Sequence, residues 1–228
     1  MTRDSSEPAN GNGPEEGAGP GAYFDQAAAT WDDNPRRVEM AGAVAEAMRR
    51  DVPLRPDMKV MDFGCGTGLI TRRLGSQVAS ITAADTSSEM LAVLARKAQA
   101  SGLRNVETLL LEPGYPSPQG PTYDVIVSSM VLHHIEDVPH LLERFATWLR
   151  PGGWVAIADL EPEDGTFHAD GRHVIHHGID PSALAGQIET NGLAVRSVRT
   201  VHTIRRQPEG AAEVRAYPVF LLTAQKTR

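Results

Sequence analysis

Hydrophobic positions along the chain follow two different spacings, and their order predicts the order of strands and helices. Short apolar runs bounded by turn residues indicate buried strands, whereas apolar residues three and four positions apart indicate helices. Helices are predicted in most of the gaps between successive strands, but none lies between the last two. The predicted strands are residues 59–63, 80–85, 105–111, 123–128, 154–158, 194–204 and 217–225.

This alternation favours an α/β fold with a doubly wound, Rossmann-like and mostly parallel sheet that carries helices on both faces. The last two strands follow each other without a helix. They are therefore predicted to pair antiparallel at one edge of the sheet.

The first part of the chain has a different composition. Residues 1–21 are rich in Gly, Pro, Asn and Glu and contain no large apolar side chain beyond Met1. Such a segment cannot bury enough surface to offset its ordering entropy, so we predict a disordered tail. Residues 22–228 are predicted to form one domain. It opens with an amphipathic helix that carries Tyr23 and Trp31, followed by a second helix.

The most informative segment is Asp62-Phe-Gly-Cys-Gly-Thr-Gly68, directly after the first predicted strand. Ligands of open α/β sheets bind at this kind of turn, and glycine allows the backbone to approach a ligand closely. A dinucleotide-binding G-x-G-x-x-G motif would need glycine where Leu69 stands, and a P-loop would need Gly-Lys-Ser/Thr, which is missing. A glycine-rich structural turn remains an alternative for this motif taken alone.

A second acid, Asp85, ends the second predicted strand, 17 residues after Gly68. A carboxylate at this place can accept hydrogen bonds from both hydroxyls of a ribose, as in dinucleotide folds. Alternatively, Asp85 or Thr86 caps the helix that follows, since Thr86 and Glu89 have the spacing of a capping box. Both roles are compatible.

Composition excludes several classes of function. The net charge is −7, from 22 basic and 29 acidic residues, which argues against a nucleic-acid-binding surface or a basic membrane patch. A single cysteine, Cys65, excludes an internal disulfide framework and fits a reducing compartment. Without a long apolar run or the apolar segment of a secretory signal, the chain is expected to be cytoplasmic.

Four motifs occur in a characteristic order: residues 62–68, Asp85, residues 123–135 (YDVIVSSMVLHHI) and residues 149–153 (LRPGG). Together they resemble class I S-adenosylmethionine-dependent methyltransferases, closest to the small-molecule group that includes ubiquinone and menaquinone biosynthesis enzymes. The resemblance implies a seven-stranded sheet in the order 3-2-1-4-5-7-6 with strand seven antiparallel. Residues 22–58 would form a helical lid and residues 59–228 the sheet core.

The resemblance further implies S-adenosyl-L-methionine as cofactor, S-adenosyl-L-homocysteine as product and a small-molecule acceptor, in a monomer or homodimer. Asp62 and the glycine backbone would face the methionine part, Asp85 would hold the ribose, and Glu112 stands where relatives often have an Asp that binds the adenine amino group. Trp31 would face the sulfonium, whereas core packing is favoured for Tyr23. The cofactor-binding residues implied in this way are Tyr23, Trp31, Asp62, Gly64, Cys65, Gly66, Thr67, Gly68, Asp85, Thr86, Met90, Glu112, Ser128, Ser129 and Met130.

Histidines are the candidate general bases for an acceptor that must lose a proton. His133 resembles the catalytic histidine of plant phenol O-methyltransferases, although it can also serve only in packing. His168 and His177 are preferred from the loop after the fifth strand, and His173 is interpreted as part of a solvated loop. These loop histidines could bind a divalent metal with Asp159, Glu161 or Asp164, but they lack a fixed helical i, i+4 pair, so we assign no metal ligands.

A covalent role for Cys65 is rejected because no base is placed beside it.

Two functions stay open. The first is a methyltransferase acting on an O, S, N or C atom of a small molecule. The second is a catalytically silent module that binds S-adenosylmethionine or a protein partner. The intact set of acid, glycines and second acid favours catalysis.

Overall fold

The computed structural model describes residues 20–112, 122–168, 174–208 and 211–227. Its centre is a seven-stranded sheet in the order β3-β2-β1-β4-β5-β7-β6. Strand β7 runs antiparallel to both of its neighbours, and the other pairs are parallel. The predicted fold class, strand order and antiparallel edge are therefore confirmed. The strands are β1 Lys59–Phe63, β2 Ser80–Asp85, β3 Val106–Leu110, β4 Tyr123–Ser129, β5 Leu149–Leu160, β6 Leu193–Arg206 and β7 Arg215–Lys226.

Helices cover both faces of this sheet. Short 3-10 helices add Ala28–Asp33, Gly75–Gln77 and Leu132–His134. In the part of the chain that is described, no helix combines the length and apolar character required to cross a bilayer. The α-helices are α1 Pro20–Ala27, α2 Pro35–Asp51, α3 Thr71–Leu74, α4 Ser88–Ala100, α5 Val138–Trp148 and α6 Pro181–Thr190.

Side chains that bond the first backbone amides fix where several helices begin. Asp137 and Asp180 cap α5 and α6. At α4 the prediction is wrong by one residue: the cap is Ser87, whose hydroxyl accepts from the Met90 amide. The chain enters the helix after Ser87, so Thr86 lies too early to reach that amide.

Two apolar layers hold the sheet between the helices. In β1, Val60 belongs to the layer under α2, whereas Met61 and Phe63 belong to the layer under α5 and α6. On the second side, Phe63 packs edge-on against Phe145 of α5 with ring centroids 5.2 Å apart. Side chains of β1 thus pack against the helices on both faces of the sheet, because successive residues of a strand point to opposite faces. This packing fixes the strand and the position of the loop that follows it.

Two predicted boundaries are corrected. Helix α1 begins at Pro20, two residues before the predicted domain start, while the rest of the predicted tail, residues 1–19, lies outside the described residues. Strand β5 begins at Leu149 rather than at residue 154. Pro151 has no N–H to donate, so pairing with β4 shifts register after Leu149 and resumes at Trp154.

Candidate functional site

A cavity of about 350 Å³ opens at the carboxyl ends of β1, β2 and β4. Its volume is typical of ligand pockets. The glycine loop, residues 64–67, forms one wall, α1 and the start of α2 cover it, and His133 marks its far end. A second cavity, of about 440 Å³ between α4 and β3, contains none of the residues predicted for the site. The first cavity is therefore the candidate site, because the predicted site residues line it.

Two glycines of the glycine loop have left-handed backbone conformations, and the loop is hydrogen-bonded to β2. The amides of Gly64 and Cys65 donate to the carbonyl of Ala84 at 2.8 and 3.0 Å, which fixes the loop to β2. Gly64 and Gly66 have φ angles of +71° and +53°, which favour glycine. A Cβ on Gly64 would lie 2.3 Å from Val131, whereas a Cβ on Gly66 would meet nothing within 4 Å. Gly64 is thus needed for packing, and Gly66 leaves space beside the cavity.

The carboxylate of Asp85 joins this loop to α4. One oxygen accepts from the Gly66 amide at 2.7 Å, and the other accepts from the Ser87 amide at 2.9 Å. Burial raises the pKa of Asp85, although the backbone hydrogen bonds from Ser87 and Gly66 oppose the shift. Each carboxylate oxygen can accept a further hydrogen bond, so this arrangement is compatible with the predicted binding of hydroxyls. The predicted helix cap is instead Ser87.

Asp62 is a second buried acid at the same place. It is 2% exposed, and one of its oxygens accepts from the Thr71 hydroxyl at 2.5 Å. Burial raises the pKa of Asp62 to about 6; the Thr71 hydrogen bond opposes the rise and the negative charge of Asp85 adds to it. Among the described residues, no basic side chain is bonded to either of these two buried carboxylates. This wall of the cavity is therefore favourable for a cationic ligand group.

The raised pKa of Asp62 predicts that its isosteric replacement changes the pH dependence of stability. In the unfolded chain the pKa returns near its ordinary 3.8, so ionisation of Asp62 above pH 6 destabilises the fold by about 3 kcal/mol. The Asp62→Asn variant escapes this cost and can still accept from Thr71. We expect its free energy of unfolding to exceed that of the wild type at pH 8, with the difference shrinking as the pH falls to 4. Denaturant unfolding of both proteins across this range measures it, and a pH-independent difference would contradict the prediction.

Two acidic residues of the predicted lid, residues 22–58, form hydrogen bonds that connect this segment to the rest of the site. Asp32 accepts from the Thr67 hydroxyl and from the Lys97 ammonium, both at 2.5 Å, and Asp25 accepts from the Ser87 hydroxyl at 2.6 Å. These links place the lid against both the glycine loop and α4. Sequence reasoning missed them, because an acid in a surface helix has no local pattern that identifies its distant partner.

The aromatic side chains of the lid differ from their predicted environments. Both Tyr23 and Trp31 line the cavity, but one face of the Trp31 ring is covered by Arg37, whose guanidinium carbon lies 3.7 Å from the ring centroid. Only the remaining ring surface can face a ligand. Tyr23 is 36% exposed, so the core-packing role favoured for it is wrong. Phe24, which sequence reasoning did not select, stacks edge-on against His134 and also lines the cavity.

The far end of the cavity contains a buried pair, His133 and Asp159. The Nδ1 atom of His133 lies 2.6 Å from Oδ1 of Asp159, which also accepts from the Leu160 amide. The other oxygen, Oδ2, accepts from the Leu132 amide. Because a carboxylate accepts hydrogen bonds, Nδ1 carries a proton, and in the neutral form of the imidazole Nε2 then has the lone pair. Among the described residues, the buried Nε2 atom has no hydrogen-bond partner.

Several forces act on the Asp159 carboxyl. Burial alone would raise its pKa, but the charge and hydrogen bond of His133 and the amide of Leu160 outweigh burial, so the pKa is lowered. The carboxylate therefore stays ionised and holds the imidazole in one tautomer. An imidazole fixed in this way can accept a proton or bind a cation through Nε2.

Two further histidines surround this imidazole. The ring centroid of His133 lies 4.0 Å from that of His134 and 5.2 Å from that of His168. His168 comes from the loop after β5, as predicted, whereas His134 was not selected from the sequence. His177 is wrong as a catalytic candidate: it lies outside the cavity, its side chain is 61% exposed, and its Nδ1 atom is 3.6 Å from Glu163. His173 lies outside the described residues.

Most of the predicted cofactor-binding residues line the cavity, but three do not. The Ser128 hydroxyl is buried and donates to the Phe63 carbonyl at 3.0 Å, so Ser128 links β4 to β1 instead. Gly68 packs against Leu94 of α4, and Glu112 is exposed beside a segment that is not described. Those that do line it are Tyr23, Trp31, Asp62, Gly64, Cys65, Gly66, Thr67, Asp85, Thr86, Met90, Ser129 and Met130.

The structure agrees with the rejection of Cys65 as a nucleophile. Its side chain is buried, and burial, together with the negative charges of Asp62 and Asp85, raises the pKa of the thiol well above its ordinary value. The thiol therefore remains protonated near neutral pH, and a protonated thiol is a weak nucleophile.

Comparison with known proteins supports the methyltransferase interpretation of the fold. The chain is 35% identical over 114 residues to the biotin biosynthesis bifunctional protein BioCD of Bordetella avium, covering 49% of this chain and 23% of that protein. It is 26% identical over 226 residues to the ubiquinone biosynthesis O-methyltransferase of Colwellia psychrerythraea, covering 87% and 89% of the two chains. The chain spans only about a quarter to two fifths of the length of the first curated relatives that it matches.

Among solved structures, a SAM-dependent methyltransferase from Aquifex aeolicus has the same fold. Its TM-score is 0.66 at 22% identity, and the alignment covers 88% of this chain and 97% of that one. A family model described as a methyltransferase domain matches residues 36–198, well over half of the chain. These findings confirm the resemblance to S-adenosylmethionine-dependent methyltransferases that the four motifs carry. The chain belongs to the methyltransferase domain family.

Proposed function

We propose that the chain binds S-adenosylmethionine in this cavity and transfers its methyl group to a small-molecule acceptor at the histidine end. One observation carries the proposal: the buried carboxylate of Asp85 is hydrogen-bonded to the amide of Gly66, in a loop that leaves open space beside a ligand cavity. That combination suits a ribose bound beside a closely approached backbone.

The other walls fit the remaining parts of the cofactor. Met90 and Leu111 provide apolar surface near Asp85, which suits the adenine ring. At the opposite side of Asp85, the buried acid Asp62 and the left-handed glycine backbone suit the ammonium and the chain of the methionine part. When bound, S-adenosylmethionine supplies an activated methyl group, which leaves its sulfur as the acceptor atom bonds to the methyl carbon.

The protein's contribution to this reaction is alignment, exclusion of water and stabilisation of the ionised acceptor. The lid limits access of water, because Asp32 holds it to the glycine loop. At the far end His133 presents its Nε2 lone pair to the acceptor, and Asp159 fixes that orientation. His133 and His168 thus remain candidate residues for handling the acceptor's proton.

The lining of the far end favours an acceptor with a flat apolar body and an ionisable hydroxyl. Phe167 and Ile204 supply apolar surface, and the guanidinium of Arg206 lies 5.7 Å from the Phe167 ring centroid. We propose O-methylation of such a hydroxyl as the first activity to test. The relative matched over most of its length, from Colwellia psychrerythraea, is named an O-methyltransferase. The comparisons give no support to a catalytically silent module.

The proposal predicts that Asp85→Ala weakens binding of S-adenosylhomocysteine about 5- to 150-fold, which corresponds to about 1–3 kcal/mol for loss of a charged hydrogen-bond partner. Isothermal titration calorimetry measures the affinity, and Asp180→Ala, which removes a helix cap remote from the cavity, is the matched control. A screen of phenols, thiols and amines with methyl-labelled cofactor then tests transfer. Unchanged affinity in Asp85→Ala would contradict the ribose assignment, and tight binding without transfer to any acceptor would favour the silent module.

A further inference from the structure

Three imidazoles converge at the far end of the cavity, from two separate elements. His133 and His134 lie in the 3-10 helix Leu132–His134 after β4, and His168 lies in the loop after β5. One nitrogen of each lies within 4.8 Å of the corresponding nitrogens of the other two. Three imidazoles this close together can form a ligand set for one cation, because each ring in its neutral form has a lone pair on one nitrogen.

The burial of the His133 side chain is a second, independent observation. Its side chain is 1% exposed, yet its Nε2 atom has no hydrogen-bond partner among the described residues. Burying a polar atom without a partner is unfavourable, so its retention points to a ligand that the atom would meet. The other ring nitrogen donates to Asp159, the carboxylate–histidine arrangement that orients metal ligands and increases their basicity.

From this geometry we propose that His133, His134 and His168 bind one divalent transition-metal ion of the Zn²⁺, Co²⁺ or Fe²⁺ class. Imidazole nitrogen suits these ions, whereas Mg²⁺ and Ca²⁺ prefer oxygen ligands. Bond lengths of about 2.0–2.1 Å require the three nitrogens to approach to about 3.3 Å, so the rings close slightly around the ion. His168 belongs to a loop, which makes that adjustment feasible.

A three-histidine set leaves at least one coordination position open, as in catalytic zinc sites. Here the open side faces the cavity, since all three histidines line it. If the proposed methyl transfer holds, and this step rests on it, the ion acts on the acceptor. The ion, rather than a free imidazole of His133 or His168, would then ionise the acceptor by lowering the pKa of a hydroxyl or thiol that reaches it, with the proton passing to solvent. The ionised atom would form the new bond to the methyl carbon as the carbon–sulfur bond of the cofactor breaks. The preferred substrates are then acceptors with a coordinating hydroxyl or thiol.

Titration of the metal-free chain with Co²⁺, followed by visible absorption, tests the site. We expect saturable binding of one Co²⁺ per chain. His133→Gln and His168→Gln should each weaken binding at least tenfold, and Asp159→Asn should weaken it about 10- to 100-fold. The matched control is His177→Gln, an exposed histidine outside the cavity, which should bind Co²⁺ like the wild type. His168→Gln changes a loop residue, so it tests the site even if the buried His133→Gln variant does not fold.

The same samples are titrated with S-adenosylhomocysteine, which separates the two proposals. Absence of saturable Co²⁺ binding, or equal weakening in His177→Gln and His168→Gln, overturns the metal site whatever the result for S-adenosylhomocysteine. Co²⁺ binding that depends on His133 and His168 supports the site even if S-adenosylhomocysteine does not bind, and in that case the proposed function fails alone.

Discussion

Replacing Asp159 by asparagine should lower kcat for methyl transfer about 100-fold without changing the affinity for S-adenosylhomocysteine. The carboxylate bonds Nδ1 of His133 at 2.6 Å and so fixes which ring nitrogen faces the acceptor. An asparagine can place its NH2 group against His133 or against the Leu132 amide, and either orientation sets two donors against each other. Loss of such an orienting group usually costs 10- to 100-fold or more in activity or metal affinity.

Asp159→Asn will also destabilise the fold, so its effect on the reaction needs a structural control. Asp124 accepts from the Lys59 amide at 2.7 Å and from Arg150 at 3.1 Å, at the opposite end of the sheet. Asp124→Asn should lower the melting temperature but leave kcat intact. Rates are measured well below both melting temperatures. An equal loss of kcat in the two variants, or a loss of S-adenosylhomocysteine affinity in Asp159→Asn, would refute a positioning role for Asp159.

The Gly64→Ala substitution should destabilise the fold by about 2–4 kcal/mol and lower the melting temperature by roughly 5–15 °C. The φ of +71° costs a non-glycine residue about 1–2 kcal/mol, and the new Cβ would lie 2.3 Å from Val131. The loop and the segment after β4 must then separate, which also displaces the cavity wall. Thermal unfolding with and without S-adenosylhomocysteine measures both effects.

Gly66→Ala is the matched control, because it has a similar φ but open space around its Cβ. It should cost only the conformational penalty of about 1–2 kcal/mol of stability, yet weaken S-adenosylhomocysteine binding at least tenfold, since the methyl group projects where a ligand would approach. Adding Val131→Ala to Gly64→Ala should restore part of the lost stability. If Gly64→Ala and Gly66→Ala were equally stable, the packing role assigned to Gly64 would be wrong.

The strands were predictable because they are short apolar runs separated by turn residues, and the missing helix between the last two correctly predicted their antiparallel pairing. The strand order, also correct, was implied by the resemblance to class I methyltransferases. The acids Asp62 and Asp85 were also placed correctly, since strand ends meet at one edge of a parallel sheet. Residues of continuous strands were harder to assign to a face. Ser128 follows the pattern of a site residue, yet its side chain points to the Phe63 carbonyl in the sheet interior.

What the sequence did not reveal depends on contacts between distant segments. Asp32 bonds Thr67 and Lys97, which lie 35 and 65 residues away, and no local spacing encodes such a partner. For the same reason His177 could not be distinguished from His168: both stand in one polar loop, but only His168 turns into the cavity. The start of β5 could not be predicted for a different reason. Proline usually ends a strand, but Pro151 lies in a bulge within β5.

The most direct test of the account is a crystal structure of the chain with S-adenosylhomocysteine. We expect the nucleoside at the ends of β1 and β2, with both ribose hydroxyls within hydrogen-bond distance of Asp85 and the sulfur facing His133. A nucleoside bound elsewhere, or one whose ribose makes no contact with Asp85, would contradict it.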